Sequence, residues 1–178
     1  MQTEQNTQNA ASVKGAYEWL SSLIAALIVV AIVFCFLFRV VTVDGESMTN
    51  TLQHGDSLIM ISRFYQLEHG DVVVIDHNEG EPLIKRIIGL PGDVINVDDE
   101  GRVYRNGVAL DEPYTRDGIT PTMGASFPYT VPDGYIFAMG DNRVESLDSR
   151  MLGAFLITDV LGETVYRISP FDRVGRFN

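Results

Sequence analysis

Leu83-Ile84-Lys85-Arg86-Ile87-Ile88 is a run of six residues lying between Pro82 and Gly89. Three isoleucines and a leucine in so short a span favour a buried, pleated strand over a helix. Alternation along such a strand puts Leu83, Lys85 and Ile87 on one face and Ile84, Arg86 and Ile88 on the other, so each face is apolar except for one cation. The same texture recurs at Ser57–Ser62 (SLIMIS), Asp71–Asp76 (DVVVID), Asp93–Val97 (DVINV), Arg102–Arg105 (RVYR), Tyr135–Met139 (YIFAM) and Thr164–Ile168 (TVYRI). Asp99-Glu100-Gly101 and Asn106-Gly107 separate these runs as turns, and Asn-Gly is a strong hairpin signal. Only Thr49–Gln53 and Ser146–Phe155 leave room for short helices. The predicted domain is mainly β, with antiparallel sheets in a sandwich or barrel-like arrangement.

Upstream of the strands, Trp19–Phe38 (WLSSLIAALIVVAIVFCFLF) is twenty residues without a charge, bounded by Glu18 and Arg39. As a helix it is ~30 Å long, the depth of a bilayer's hydrocarbon core. A cleavable leader would have a shorter apolar run followed by small residues. Phe34, Phe36, Leu37, Phe38, Arg39 and Val40 stand where those small residues would be, so a retained transmembrane anchor is expected. The polar stretch before it, residues 1–18, reads as a short disordered tail, and residues 39–178 as a single folded domain. Lys14 and Arg39 flank the anchor on opposite sides, so charge alone leaves its orientation open.

The chain has 178 residues and a formal net charge of −11, which argues against general nucleic-acid binding, since that requires cations to displace counterions from phosphates. A hydrophobic share of 46% is too high for a disordered chain. One cysteine, Cys35, excludes an internal disulfide. Three histidines leave little for zinc: His69, Asp71, Asp76 and His77 would have to converge from a strand and its flanks.

Of the 13 cationic side chains only Lys14 and Lys85 are lysines. Burial disfavours an ammonium and lowers its pKa, so a lysine inside a sheet is available as a neutral base, whereas an arginine stays protonated. Lys85 is therefore either a base or a side chain snorkelling to the sheet edge. A hydroxyl partner is offered by Val43-Asp44-Gly45-Glu46-Ser47-Met48-Thr49-Asn50-Thr51-Leu52, where Gly45 permits a sharp turn just before Ser47. Ser47 is either a nucleophile with its own N–H aimed at a substrate oxyanion, or the N-cap of the turn that follows. Neither G-x-S-x-G nor S-x-x-K is present, since Thr49 and Asn50 stand in the final positions. The third cluster, Met139 to Arg150, is either a solvated turn or a loop fixed by pairs such as Asp148 with Arg150 or Asp141 with Arg143.

Taken together these segments resemble the type I signal peptidases, membrane-anchored serine proteases of the Ser/Lys dyad class, in their short Gram-positive form. Four blocks fall in the family's order: Gly45–Leu52, Gly70-Asp71-Val72-Val73-Val74, Lys85 to Asp93, and Gly140-Asp141-Asn142-Arg143 through Ser146-Leu147-Asp148-Ser149-Arg150. The resemblance implies a signal-peptidase catalytic domain with Ser47 as nucleophile and Lys85 as general base. It implies that Ser146 hydrogen-bonds and orients the lysine, that Asp148 and Arg150 form a supporting ion pair, and that Asp141, Asn142 and Arg143 hold that wall of the site. Asn50 replaces a proline common in the family, and Gly45 stands where some members have a serine hydroxyl facing the oxyanion. No cofactor and no metal is implied.

The substrates so implied are signal peptides of exported preproteins, cut after small residues at Ala-X-Ala sites, with the peptide pairing by β-augmentation against the segments around Val43–Gly45 and Pro82–Ile84. Val43, Met48, Leu83 and Ile84 are the candidate pocket residues. The lipid bilayer is a further partner, the secretion translocon a candidate one, and nucleic acid is not expected. The implied placement is a single-pass protein of the cell membrane, N-terminus cytoplasmic and catalytic domain extracytoplasmic. Phe64-Tyr65 and Phe127-Pro128-Tyr129 either touch the membrane interface or pack within their loops. Two alternatives are a self-cleaving regulator with the same dyad and a catalytically silent anchored binding module of the same fold. The absence of a DNA-binding helical domain disfavours the first, and the presence of both Ser47 and Lys85 disfavours the second.

Overall fold

The computed structural model describes residues 2–77 and 80–177. The chain divides into two units, Met1–Leu37 and Phe38–Asn178. The first is a single helix, α1, Gln2–Leu37. It takes in the polar stretch expected to be disordered: Gln, Glu and Ala are good helix formers, and extending an existing helix requires no new nucleus. Within α1 the 21 residues Tyr17–Leu37 have a mean hydropathy of 3.0, and none of that window is buried. Ser21 and Ser22 return their hydroxyls to the Glu18 carbonyl, 2.9 Å each, which satisfies them inside the apolar run.

The second unit is built from antiparallel strands. The larger sheet contains β1 (Phe38–Thr42), β2 (Ser57–Ile61), β3 (Val72–Ile75) and β4 (Leu83–Gly89). The smaller contains β5 (Val94–Val97), β6 (Val103–Arg105), β7 (Val108–Ala109) and β8 (Tyr129–Thr130). The chain then returns to the larger sheet with β9 (Tyr135–Met139), β10 (Phe155–Leu156) and β11 (Val160–Ser169), with a four-residue helix α2 (Ser149–Leu152) between β9 and β10. The strand orders are β1-β2-β11-β3-β4-β9-β10 and β7-β6-β5-β8. Asn106 and Gly107 form the two-residue turn between β6 and β7, both with positive φ as a tight primed turn requires.

β3 and β4 lie inside the larger sheet, which is why their sequences are apolar on both faces. Val72 and Val74 join Val43, Met48, Leu52, Leu58, Met60 and Ile84 in one core cluster. Val73 and Ile75 join Ile87, Ile136, Ala138 and Phe155 in another. A third, with Ile88, Phe137 and Met139 from the larger sheet and Ile95, Val97 and Val103 from the smaller, ties the two sheets together. The aromatic ring of Phe137 meets those of Phe127 and Tyr129 at 6.2 and 5.2 Å, so these two aromatics, the second of them in β8, are packing residues. Phe64 is 92% exposed.

Two features of this sheet shape the site. Strand β1 is an edge strand with β2 as its single partner. Strand β9 pairs with β4 only over Arg86–Gly89, so Leu83, Ile84 and Lys85 have β3 on one side and no strand among the described residues on the other.

Candidate active site

After β1 the chain turns at Gly45, whose φ of +86° is a backbone state that L side chains seldom adopt. A pair of tight turns follows, closed by Thr49 N to Glu46 O (3.0 Å) and Leu52 N to Met48 O (2.8 Å). The sequence leads one to expect a short helix over Thr49–Gln53; the chain makes turns there instead, and no helix forms. Met48 and Leu52 are fully buried in the core, which anchors the turn and leaves Ser47 half-exposed at its start.

Lys85 approaches this serine from β4. Its Nζ donates to Ser47 Oγ at 2.7 Å and to its neighbour's carbonyl, Ile84 O, at 3.0 Å. The residue is 2% exposed. Burial pushes its pKa from 10.5 down to about 8, with the Asp148 and Asp141 carboxylates opposing that fall and the Arg150 guanidinium adding to it. An amine in this state is partly neutral near neutral pH.

The loop after β9 builds the wall behind the pair. Asn142 N donates to Ser47 O at 3.0 Å, and its side-chain Nδ2 donates to Glu46 O at 3.2 Å, so one residue holds the serine's turn by two consecutive carbonyls. Asp148 and Arg150 form a wholly buried bidentate pair, with Nε to Oδ1 at 2.9 Å and a terminal guanidinium nitrogen to Oδ2 at 2.7 Å. Burial alone would raise the Asp148 carboxyl. The hydrogen bonds and charge of Arg150, helped by the Gly140 N–H, outweigh that and hold it below the usual carboxylate range.

Two expected contacts are arranged differently. Arg143 does not pair with Asp141: it makes a bidentate pair with Glu112 at 2.9 and 2.6 Å, while Asp141 is gripped by Arg86 at 2.9 and 2.7 Å. Both partners come from distant sequence, and the loop's own spacing gives no sign of them. Ser146, expected to hydrogen-bond the lysine, is buried beside the Asp148 carboxylate. Its Oγ meets hydrogen-bond geometry with none of the described residues, and Lys85 Nζ donates to Ser47 and to Ile84 O instead.

Gly140 is a further member of this wall. A Cβ there would overlap the Ser47 carbonyl oxygen and the Ser146 side chain, so the close approach of the serine's turn to the end of β9 requires glycine. Arg86, the neighbour of Lys85, is visible in the sequence as a cation on a buried strand, but its partner is not.

A cavity of about 420 Å³ is lined by Arg39, Val40, Val41, Thr42 and Asp44 on one side and by Pro82 and Ile84, the residue before Lys85, on another. Of the four candidate pocket residues Ile84 lines it. Val43 and Met48 are 3% and 1% exposed and sit behind its wall in the core, and Leu83 packs with the cluster on the opposite sheet face.

A serine hydroxyl held against a buried amine on an antiparallel β-domain is a pairing that suits the nucleophilic chemistry of a serine hydrolase. The family described as signal peptidase, peptidase S26, matches residues 16–169, and the chain belongs to it. Among similar proteins, signal peptidase I S of Bacillus subtilis is 31% identical over 184 residues, covering 97% of this chain and 99% of that protein. Signal peptidase I of Bacillus licheniformis is 34% identical over 187 residues, with 98% of each chain covered. Signal peptidase IB of Staphylococcus aureus is 31% identical over 176 residues, 89% of this chain and 92% of its own. A crystal structure of a signal peptidase I from Enterococcus faecalis aligns with a TM-score of 0.49 at 28% identity, covering 57% of this chain and 98% of that one.

Proposed function

We propose that this chain is a membrane-anchored serine endopeptidase that removes signal peptides from exported preproteins, with Ser47 as nucleophile and Lys85 as general base. The observation that carries the reading is the 2.7 Å approach of Lys85 Nζ to Ser47 Oγ with the lysine buried. As the neutral amine, Lys85 takes the Ser47 proton while Oγ attacks the peptide carbonyl. The ammonium then returns that proton to the departing amine, leaving an acyl-enzyme. In the second half Lys85 takes a proton from water, the resulting nucleophile displaces Ser47 from the acyl group, and the proton passes back to Oγ. The Ser47 N–H is the assigned donor to the oxyanion in both halves.

The substrate strand is assigned to the cavity between β1 and the start of β4, where both neighbouring backbones have an open edge and Ala-X-Ala side chains are small enough to enter. Residues 1–18, 19–38 and 39–178 are assigned as tail, anchor and extracytoplasmic catalytic domain, with the helix ending one residue earlier than that anchor, at Leu37, and Phe38 opening β1; Tyr17–Leu37 is long enough to span a bilayer once. Tethering at the membrane raises the enzyme's effective concentration where a signal peptide's apolar segment is still held in the lipid, near the translocon.

The test is cleavage of an Ala-X-Ala preprotein by the full chain in detergent. Ser47→Ala and Lys85→Ala are each expected to abolish it, and Lys85→Arg as well, because a guanidinium supplies no neutral base. Full activity in Lys85→Arg would overturn the dyad. The acid limb of kcat/KM is expected near pH 8, where Lys85 loses its proton.

A further inference from the structure

The hydrogen bond between Ser47 and Lys85 joins a turn and a strand that are 38 residues apart in the chain. Its length depends on how firmly that turn is fixed relative to β4. Apolar packing of Met48 and Leu52 beside Ile84 draws the two together but does not define a direction. Asn142 fixes the start of the turn, by the Glu46 and Ser47 carbonyls, to the loop after β9. A polar link to β4 itself runs from the far end of the turn. Thr51 Oγ1 donates to Asp141 Oδ2, and Arg86 on β4 donates to both oxygens of the same carboxylate.

We propose that Thr51 is a positioning residue for the reaction: through Asp141 and Arg86 its hydroxyl ties the turn that carries Ser47 to the strand that carries Lys85, and so sets the reach between Oγ and Nζ. This rests on the Ser47–Lys85 reading above. One strand thus holds the turn twice. Lys85 meets its first residue directly, and Arg86, the next residue along β4, meets the fifth through one carboxylate. Asp141 is 0% exposed and Arg86 3%, so the Arg86–Asp141 part of the link is shielded from water while its Thr51 end is partly buried, and charge-assisted hydrogen bonds of this kind are the directional ones. Arg86 is itself braced, by its hydrogen bond to Gly70 O at 2.8 Å and by the Tyr114 ring 4.0 Å from its guanidinium carbon. The tether therefore ends on a fixed point.

Thr51→Val removes the hydroxyl and keeps the branched shape. Asp141 retains both contacts from Arg86, and Arg167 continues to hold the residue's main-chain carbonyl at 3.0 Å, so the fold is expected to survive. Because small misplacement of reacting groups slows the chemical step, kcat on an Ala-X-Ala peptide is expected to fall about 10- to 100-fold with KM changed by no more than about twofold. Thr51→Ser, which restores the donor, is expected to recover kcat to within about threefold of the parent. The proposal is overturned if Thr51→Val keeps kcat within twofold of the parent, or if Thr51→Ser loses as much as Thr51→Val. Should Thr51→Val not fold, Thr51→Ala read against Thr51→Ser decides by the same criteria. Ser47→Ala assayed in parallel separates the two readings: activity in that variant removes the dyad whatever Thr51 does.

Discussion

Two arginine–aspartate pairs in this domain have the same 2.7 Å separation and opposite surroundings. Arg150 and Asp148, behind the site, are both 0% exposed, whereas Arg102 and Asp98, in the loop joining β5 to β6, are 61% and 20% exposed. Distance alone would rank them equal. Burial removes the water that would otherwise solvate each charge, so the inner pair cannot lose one partner without stranding the other, while the outer pair can exchange its partner for solvent. The inner pair also organises neutral groups around it: Asp148 accepts from the Gly140 N–H and caps α2 through the Arg150 N–H.

The largest expected effect breaks the inner pair. Asp148→Ala leaves the Arg150 guanidinium buried with the Pro121 carbonyl as its remaining acceptor among the described residues, and is expected to destabilise the domain by about 3–5 kcal/mol, read as a shift in the denaturation midpoint in detergent. Little or no shift would mean that water reaches Arg150 and that the contrast between the pairs is one of appearance.

A smaller effect, of opposite sign, sharpens the comparison by adding a buried charge that has no such partner. Lys85 has its folded pKa lowered to about 8 from 10.5, so between those values the unfolded chain binds more protons than the folded one. Stability contributed by this site therefore rises with pH across that window, and the cost of burying the amine is greatest below it. Lys85→Met removes that cost. It is expected to abolish cleavage and to stabilise the domain at pH 7 by up to about 3 kcal/mol, with the gain shrinking as pH approaches 10.5. A gain independent of pH would show that the lysine's proton is not its cause.

At the outer pair, Asp98→Asn is expected to leave the thermal midpoint unchanged within measurement and cleavage at the parent rate. A clear loss of stability there would mean that the hairpin depends on its surface charges.

Much of this contrast is legible in the sequence, for reasons that differ by element. β3 and β4 announce themselves because strands covered on both faces become continuous apolar runs, as Val72–Ile75 does. β1 hides because Phe38-Arg39-Val40-Val41-Thr42 continues directly from the apolar helix, so its alternation has no visible beginning. β7, β8 and β10 are two residues each, too short to show any period. In the site, Asp148 and Arg150 are two positions apart and can be paired on paper. The Asp141 partner comes from β4 and the Arg143 partner is Glu112, and contacts brought together by the sheet leave no local spacing to read. Gly140 is similar: its glycine is obvious, and the Ser47 carbonyl that demands it is not.

On the proposed placement of the substrate, the open side of β4 has a consequence for which chains this domain engages. On the side away from β3, Leu83, Ile84 and Lys85 offer about 10 Å of backbone edge with no strand partner among the described residues before β9 takes over. A peptide can use that length only where its own backbone groups are free, which excludes segments already paired in a finished fold. The gap is also too short to recruit a full strand from a second sheet, the usual hazard of an exposed edge. On that placement timing is set by geometry: a chain is engaged there while its segment is still extended and becomes refractory once it has folded.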